Sequence, residues 1–124
     1  MDKVIIVGVG GFIGANVRYW LGAWIDGQFG LRFPVGTFII NLTGSLLLGF
    51  IATLTVERAL IDPRWRLAIG VGFIGAYTTF STFTYESVKL LEAGSYGLAA
   101  LNVLGSGLLG LLGAGLGIVL GRAI

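Results

Sequence analysis

The sequence predicts an all-α membrane protein with one domain, residues 1–124, that contains four transmembrane helices. Only 11% of its residues are charged and 56% are hydrophobic, whereas soluble domains carry about 25% charged residues. The apolar residues fall into four segments, each long enough to cross a bilayer as a helix. The chain also holds 22 glycines, a number that suits membrane helices whose backbones approach one another closely.

The four spans are separated by short polar turns. The first is interrupted by Asn16 and Arg18, and Pro34 suits the first turn of the second span, which carries no charge. In the fourth span, Asn102 and Ser106 are the only polar side chains after its first residues. The predicted spans cover residues 4–25, 35–56, 67–91 and 95–121.

Composition excludes several classes of protein. Cysteine and histidine are both absent, which removes disulfides, thiol chemistry, histidine bases and the usual zinc sites. The eight lysines and arginines are scattered, so no basic run indicates a nucleic-acid partner. The N-terminus lacks the basic region and the cleavage site of a signal peptide.

The charges of the loops give a weak topology signal. With four spans, Lys3, Arg122 and the three arginines of the second loop share one side, and the other three basic residues lie on or near the opposite side. Five against three is a feeble positive-inside bias. A protein that inserts in both orientations would show this pattern, and so would a small protein with an ordinary but weak signal.

The N-terminal segment contains a motif typical of dinucleotide-binding proteins. Gly8, Gly11 and Gly14 have the spacing of a glycine-rich phosphate turn, and Asp26 follows at about the distance of a ribose-binding acid. The motif requires a soluble βαβ unit, and three further membrane spans follow instead. We therefore interpret this stretch as a glycine seam on a membrane helix, in which Gly10 and Gly14 form a small-xxx-small pair. Gly113, Gly117 and Gly121 form a longer seam in the fourth span. Such seams offer contact surfaces for the assembly of subunits.

The second span carries a polar stripe. Thr37 and Ser45 lie four residues before and after Asn41, so the three side chains project from one face of a helix. Asn41 alone is typical of a hydrogen bond between helices. The stripe as a whole indicates the wall of a pore.

The third span contains a segment, residues 75–83, that suits a regular membrane helix poorly. Its nine positions hold one glycine, four serines or threonines and three aromatic residues, and the hydroxyl residues are mediocre helix formers. We expect the helix to be broken mid-membrane between Gly75 and Thr79. The freed carbonyls could hold a Na⁺-like cation, or Ser and Thr hydroxyls could close an internal kink.

Three further side chains of the spans have two interpretations each. Phe80 and Phe83 are three residues apart; they either pack or turn their positive ring edges toward an anion. Glu86 lies near a helix end, which favours a structural or vestibule role over ion coupling. Arg18 either draws anions into a vestibule or reaches the interface beside Tyr19.

Two motifs closely resemble those of the Fluc (CrcB) family of bacterial fluoride channels. They are Gly36-Thr37-x-x-x-Asn41-x-x-Gly44 in the second span and Gly75-x-x-Thr78-Thr79-Phe80-Ser81-Thr82-Phe83 in the third. The resemblance extends to the chain length, the four spans, Arg18-Tyr19 and Glu86. It covers essentially the whole chain.

The resemblance implies a dual-topology homodimer of two antiparallel subunits, with two fluoride pathways that each use both chains. Asn41 would donate a hydrogen bond to fluoride, and Phe80 and Phe83 would line the path with their ring edges. The carbonyls of Gly75 and Thr78 would hold a structural Na⁺ at the dimer interface. Weaker pathway candidates are Thr37, Ser81, Thr82 and Ser106.

The sequence departs from the family pattern at two places. Ala76-Tyr77 gives the break a bulkier neighbour than many members have. Asn102 stands about where some members have a tyrosine, and Gly110 about where a serine occurs. The first departure concerns the helix break, and the second affects the pathway assignments in the fourth span.

The function implied is a fluoride-selective passive ion channel, not an enzyme. It would export fluoride across the bacterial cytoplasmic (inner) membrane, with fluoride, Na⁺, lipid and a second copy of itself as partners. The alternative is a proton-coupled small multidrug exporter, also built of four spans. That class needs a membrane-embedded acid in its first span, and this first span has none between its ends.

Overall fold

The computed structural model describes residues 1–124 and is all-helical. Four helical stretches are long and apolar enough to cross a membrane, so the chain is a multi-pass membrane protein. Helix α3 begins with a turn at Pro63–Trp65, continues as π-helix over Arg66–Ile74 and ends with a turn at Gly75–Tyr77. The helices are α1 (Asp2–Phe29), α2 (Val35–Ala52, with a π-helical extension Thr53–Glu57), α3 (residues 63–77), α4 (Phe80–Glu92) and α5 (Tyr96–Ala123).

Local chemistry sets the helix ends. Helix α1 stops at Gly30, whose φ of 59° places it in the left-handed region that favours glycine. Pro34 precedes the first turn of α2. Before α3, the Asp62 side chain accepts a hydrogen bond from the backbone N–H of Arg64, with Pro63 at the first helical position. These short turns make consecutive spans antiparallel.

The glycine seams pack within the chain. A Cβ added at Gly10 or Gly14 of α1 would collide with backbone carbonyls of α3, those of Ala68 and Phe73. The expectation that the seams supply contact surfaces for assembly is therefore wrong at these positions. They are occupied by neighbouring helices of the same subunit, because only glycine lets two backbones approach so closely.

The same holds for the seam of α5, which faces α2. A Cβ at Gly117 would meet the carbonyl of Leu46, and one at Gly121 would meet Thr53. Gly49 of α2 is matched in return by the backbone of Ala114. Helices α2 and α5 thus form one close pair, and α1 and α3 form another.

The N-terminal glycine motif lies on a helix. Residues 3–7, which would be the strand of a nucleotide-binding unit, belong to α1. The Asp26 carboxylate accepts a hydrogen bond from the backbone N–H of Gly36 at 2.8 Å. It therefore caps the first turn of α2, where a negative charge is favoured by the helix dipole.

The regular helix of the third span is interrupted at two residues. Helix α3 ends at Tyr77, Thr78 has φ −81° and ψ 157°, Thr79 has φ −150° and ψ 115°, and α4 begins at Phe80. Gly75 itself is helical, with φ −59° and ψ −36°. The irregular backbone is thus shorter than the segment from Gly75 to Thr79 that the sequence suggested.

Candidate functional site

A cavity of about 420 Å³ lies between α2, the α3–α4 break and α5. Its polar groups come from Asn41, Ser45, the two extended threonines and Ser106, and its apolar wall includes both phenylalanines of α4. The cavity is open on one side of the subunit. It is lined by Asn41, Gly44, Ser45, Leu48, Ile74, Thr78, Thr79, Phe80, Phe83, Val103, Ser106 and Gly107.

The amide of Asn41 bridges the backbone of the break. Its Oδ1 accepts a hydrogen bond from the N–H of Thr79 at 2.8 Å, and its Nδ2 donates to the carbonyl of Thr79 at 3.1 Å. Extended residues cannot make helical hydrogen bonds, and unpaired backbone groups at membrane depth are costly. One side chain thus satisfies both polar groups of Thr79, and an amide N–H remains for another acceptor.

Next to Asn41, helix α2 has a glycine, Gly44, against which the break packs. A Cβ added at Gly44 would overlap the Cγ2 methyl of Thr78, so glycine is needed for Thr78 to lie against α2. One residue away, the hydroxyls of Thr43 and Tyr77 share a hydrogen bond of 2.9 Å. Tyr77 is buried, so the bulky residue that departs from the family pattern anchors the end of α3 to α2.

The carbonyls at the end of α3 have different partners. The carbonyl of Ile74 accepts from both the N–H and the hydroxyl of Thr78, each at 2.9 Å. The carbonyl of Ala76 accepts from Nε of Arg18 at 2.9 Å. Arg18 therefore caps the negative end of α3, a role that the sequence did not suggest. Gly75 lies between these residues and is exposed in the subunit.

The two phenylalanines of α4 stand beside each other at the cavity. Their ring centroids are 6.0 Å apart and the rings are tilted by 50°. Phe80 is 77% exposed in the subunit, and Phe83 is half-buried. Rings packed into a protein core would be covered, so Phe80 is free to present its edge to a ligand or to another chain.

The remaining hydroxyl candidates fall into two groups. Ser106 lines the cavity and donates to Oδ1 of Asn102 at 3.4 Å. Ser81 and Thr82 do not line it: the N–H and hydroxyl of Thr82 bond the side chain of Thr79 instead. This pair caps the first turn of α4.

Asn102 is the polar residue that the sequence left without a role. It is 1% exposed and donates to Oγ of Ser87 at 2.9 Å. Ser87 in turn donates to the carbonyl of Phe83 at 2.8 Å. These two hydrogen bonds connect α5 to the turn of α4 that carries Phe83. Asn102 thus supports Phe83, which lines the cavity, although Asn102 does not line the cavity itself.

Thr37 is directed away from the main cavity. Its hydroxyl donates to Oε1 of Glu86 at 2.6 Å, although it shares a helix face with Asn41. Glu86 lines a second cavity, of about 510 Å³, beside the N-terminal end of α2. Charged residues of both signs surround it: Asp26, Arg32, Glu86 and Lys89.

The structure thus brings together four of the predicted pathway residues, and separates the others from them. The cavity joins Asn41, Phe80, Phe83 and Ser106. Sequence reasoning missed two contacts. Gly44 leaves the space that Thr78 occupies, and Thr79 is the hydrogen-bond partner of Asn41. A signal for the first was present, because Asn41 and Gly44 are three residues apart and hence on one helix face.

Comparisons with known proteins identify relatives over nearly the whole chain. The family model described as "CrcB-like protein, Camphor Resistance (CrcB)" matches residues 5–118. A protein of Oceanobacillus iheyensis named "Fluoride-specific ion channel FluC" is 49% identical over 111 residues, which cover 90% of this chain and 84% of that protein. Proteins with the same name are 48% identical in Acidobacterium capsulatum, over 98% of both chains, and 43% identical in a Sulfurihydrogenibium species, over 100% of both.

Proposed function

The chain belongs to the CrcB family of fluoride channels, and from this membership we propose that it is a passive, fluoride-selective ion channel. The family is a class of transporters and not of enzymes. The observation that carries the proposal for this chain is the cavity beside the α3–α4 break. The comparisons give no support to a proton-coupled multidrug exporter.

The cavity has the chemistry that a small anion requires. Fluoride is strongly hydrated, so a selective path must replace its water with fixed donors. Asn41 has an amide N–H that Thr79 does not use. The hydroxyl of Ser106, whose bond to Asn102 is long at 3.4 Å, would turn into the cavity to donate to the anion. The edges of Phe80 and Phe83 add positive potential without a full cation. Such binding is weak enough for the ion to leave again.

A second copy of the chain completes the pathway. The cavity is open on one side. Phe80, which lines it, and Gly75, which precedes the break, are both exposed in the single subunit. A polar cavity open to lipid would leave its hydrogen-bonding groups unsatisfied. An antiparallel homodimer covers it twice, giving two pores, and fits the weak positive-inside bias. In this dimer the break of each third span lies mid-membrane.

The end of α3 fits a monovalent cation. In a continuous helix, the N–H of Thr79 would donate to the carbonyl of Gly75. Because Thr78 and Thr79 are extended, this N–H bonds Asn41 instead and the carbonyl of Gly75 has no helical donor. Carbonyl oxygens are hard ligands of the kind Na⁺ takes, and the chain has no cluster of three acidic, histidine or cysteine side chains for a divalent metal. Gly75 and Thr78 of the two subunits would hold Na⁺ at the dimer interface, where its charge offsets that of the anions.

We assign the channel to the bacterial cytoplasmic membrane, where it lets fluoride leave the cell down its gradient. The remaining candidates have supporting roles: Thr37, with Glu86, stands near one end of the path, Ser81 and Thr82 belong to the first turn of α4, and Arg18 lies next to the cation site. The lipid bilayer covers the exposed apolar helix faces.

The test is fluoride efflux from liposomes that contain the purified protein. We expect a fluoride gradient to dissipate without a pH gradient, and chloride to permeate far more slowly. Chloride flux equal to fluoride flux would contradict selectivity. Strict dependence on a proton gradient would contradict passive conduction and favour a coupled carrier.

A further inference from the structure

We propose that Asn41 is a positioning residue for the cation site: through Thr79, it keeps the carbonyl of Gly75 free to bind the cation. The inference rests on the proposed function, because it assumes the cation between Gly75 and Thr78. It adds a link between the anion pathway and the cation site, which share this one side chain.

The first step is the hydrogen bond that Thr79 does not make. In an uninterrupted α-helix, the N–H of Thr79 would donate to the carbonyl four residues before it, that of Gly75. The N–H of Thr78 still follows this rule and donates to Ile74 at 2.9 Å. Helical bonding is therefore intact up to Thr78, and Gly75 is the first carbonyl to lose its donor.

The second step is the acceptor that takes the N–H of Thr79 away from the carbonyl of Gly75. The N–H of Thr79 donates to Oδ1 of Asn41 at 2.8 Å, and the carbonyl of Thr79 accepts from Nδ2 of the same amide at 3.1 Å. Two bonds to one residue hold it in the extended conformation. Gly44, one turn further along α2, leaves room for Thr78 beside it. Asn41 thus holds the backbone in the form that exposes Gly75.

The third step is that neighbouring carbonyls are already taken. Ile74 accepts from the N–H and hydroxyl of Thr78, and Ala76 accepts from Arg18. The carbonyl of Gly75, between them, is the one left for a cation. If Asn41 were replaced by a residue without an acceptor, the N–H of Thr79 would be left unpaired at membrane depth, which is costly. A bond from this N–H to the carbonyl of Gly75 would remove that cost. That bond would remove a cation ligand.

Two substitutions at Asn41 separate positioning from anion contact. Asn41→Leu is close in size and removes both the acceptor and the donor. Asn41→Asp keeps an acceptor for the N–H of Thr79 but removes the amide donor. Both should abolish most fluoride flux. Only Asn41→Leu should lower the affinity for Na⁺, by at least about tenfold, as expected when a residue that orients a metal ligand is lost.

The measurement is the dimer fraction in detergent as Na⁺ replaces N-methyl-D-glucamine at constant ionic strength, alongside liposome flux. We expect the Na⁺ midpoint of Asn41→Asp to stay within about threefold of wild type. Ser106→Ala is the matched control: Ser106 lines the same cavity but its hydrogen bond goes to Asn102 and not to the break, so flux should fall and the midpoint should not move. If Asn41→Leu does not fold, Asn41→Ala takes its place.

A crystal structure of the Asn41→Leu variant gives a readout independent of transport. We expect the N of Thr79 within about 3.2 Å of the Gly75 oxygen, the upper end of the usual range for an N–H···O hydrogen bond. An unchanged, extended Thr79 would overturn the inference, and so would equal Na⁺ midpoints in all variants. A wild-type protein that conducts fluoride but ignores Na⁺ would overturn the cation role and leave the channel standing. Absence of fluoride flux in wild type would instead refute the proposed function.

Discussion

The aromatic edges of α4 give the sharpest prediction about conduction. Phe80→Ile and Phe83→Ile keep an apolar side chain of similar bulk but remove the ring quadrupole. If each ring edge stabilises fluoride in the path by about 1–2 kcal/mol, as quadrupole interactions with ions do at desolvated sites, each substitution should lower flux by about five- to thirtyfold. The assay is fluoride efflux from liposomes at matched protein density.

The same substitution should change subunit stability little at Phe80. That residue is 77% exposed, so about a quarter of its surface is buried. Complete burial of such a side chain stabilises by roughly 1.5–3 kcal/mol, and Phe80 contributes only about a quarter of that. Isoleucine keeps part of this contribution. We therefore expect the free energy of unfolding to fall by less than about 1 kcal/mol, which cannot by itself account for a large loss of flux.

Phe12→Ile supplies the matched control. Phe12 is 73% exposed, similar to Phe80, but it lies on α1 and does not line the cavity. Its substitution should leave flux within about twofold of wild type. Wild-type flux in both α4 variants would show that the rings only pack. An equal loss in the Phe12 variant would show that the assay reports a general effect of losing a ring from the surface.

Three further predictions concern the framework. Gly117→Ala should lower the melting temperature in detergent, because its Cβ would collide with α2 at a cost of about 1–3 kcal/mol. Gly115→Ala has open space around its Cβ and should be neutral or mildly stabilising. A larger loss of stability in the Gly115 variant would refute the α2–α5 pairing. Gly75→Ala should leave the subunit folded, since its Cβ would have only an ordinary contact at 3.8 Å, but should weaken the dimer measured by size-exclusion chromatography; an unaffected dimer would place Gly75 away from the interface. Tyr77→Phe should cost about 1 kcal/mol by thermal unfolding, through loss of the bond to Thr43, and no change would mean that the hydroxyl is replaced by another partner.

The helices and their number followed from the sequence. Runs of apolar residues without charge, long enough to span a bilayer, admit one regular structure, because a helix satisfies its own backbone in hydrocarbon. The structure adds a few residues at most ends, such as Asp2–Phe29 where residues 4–25 were expected. The uneven composition of residues 75–83 likewise indicated the interruption of the third span, since it mixes hydroxyl and aromatic residues where apolar helix formers are usual.

The partners of individual side chains were beyond the sequence. Thr37, Asn41 and Ser45 share one helix face, yet Thr37 bonds Glu86, Asn41 bonds the backbone of Thr79, and Ser45 bonds the carbonyl of Asn41. Periodicity places a residue on a face but does not say which helix packs against that face. Glu86 is 49 residues from Thr37 along the chain, so only packing brings them together.

The sequence by itself determined a four-span helical protein, the family it belongs to, and the residue types that can bind an anion. The tertiary structure decided where those residues go: glycine seams join helices of one subunit, Arg18 caps α3, and Asn41 bonds Thr79. The physical reason is that composition and periodicity are local, whereas hydrogen bonds and close backbone contacts depend on how distant helices pack. The carbonyl of Gly75 lacks its helical donor in this packing, because the N–H of Thr79 donates to a side chain of α2 instead.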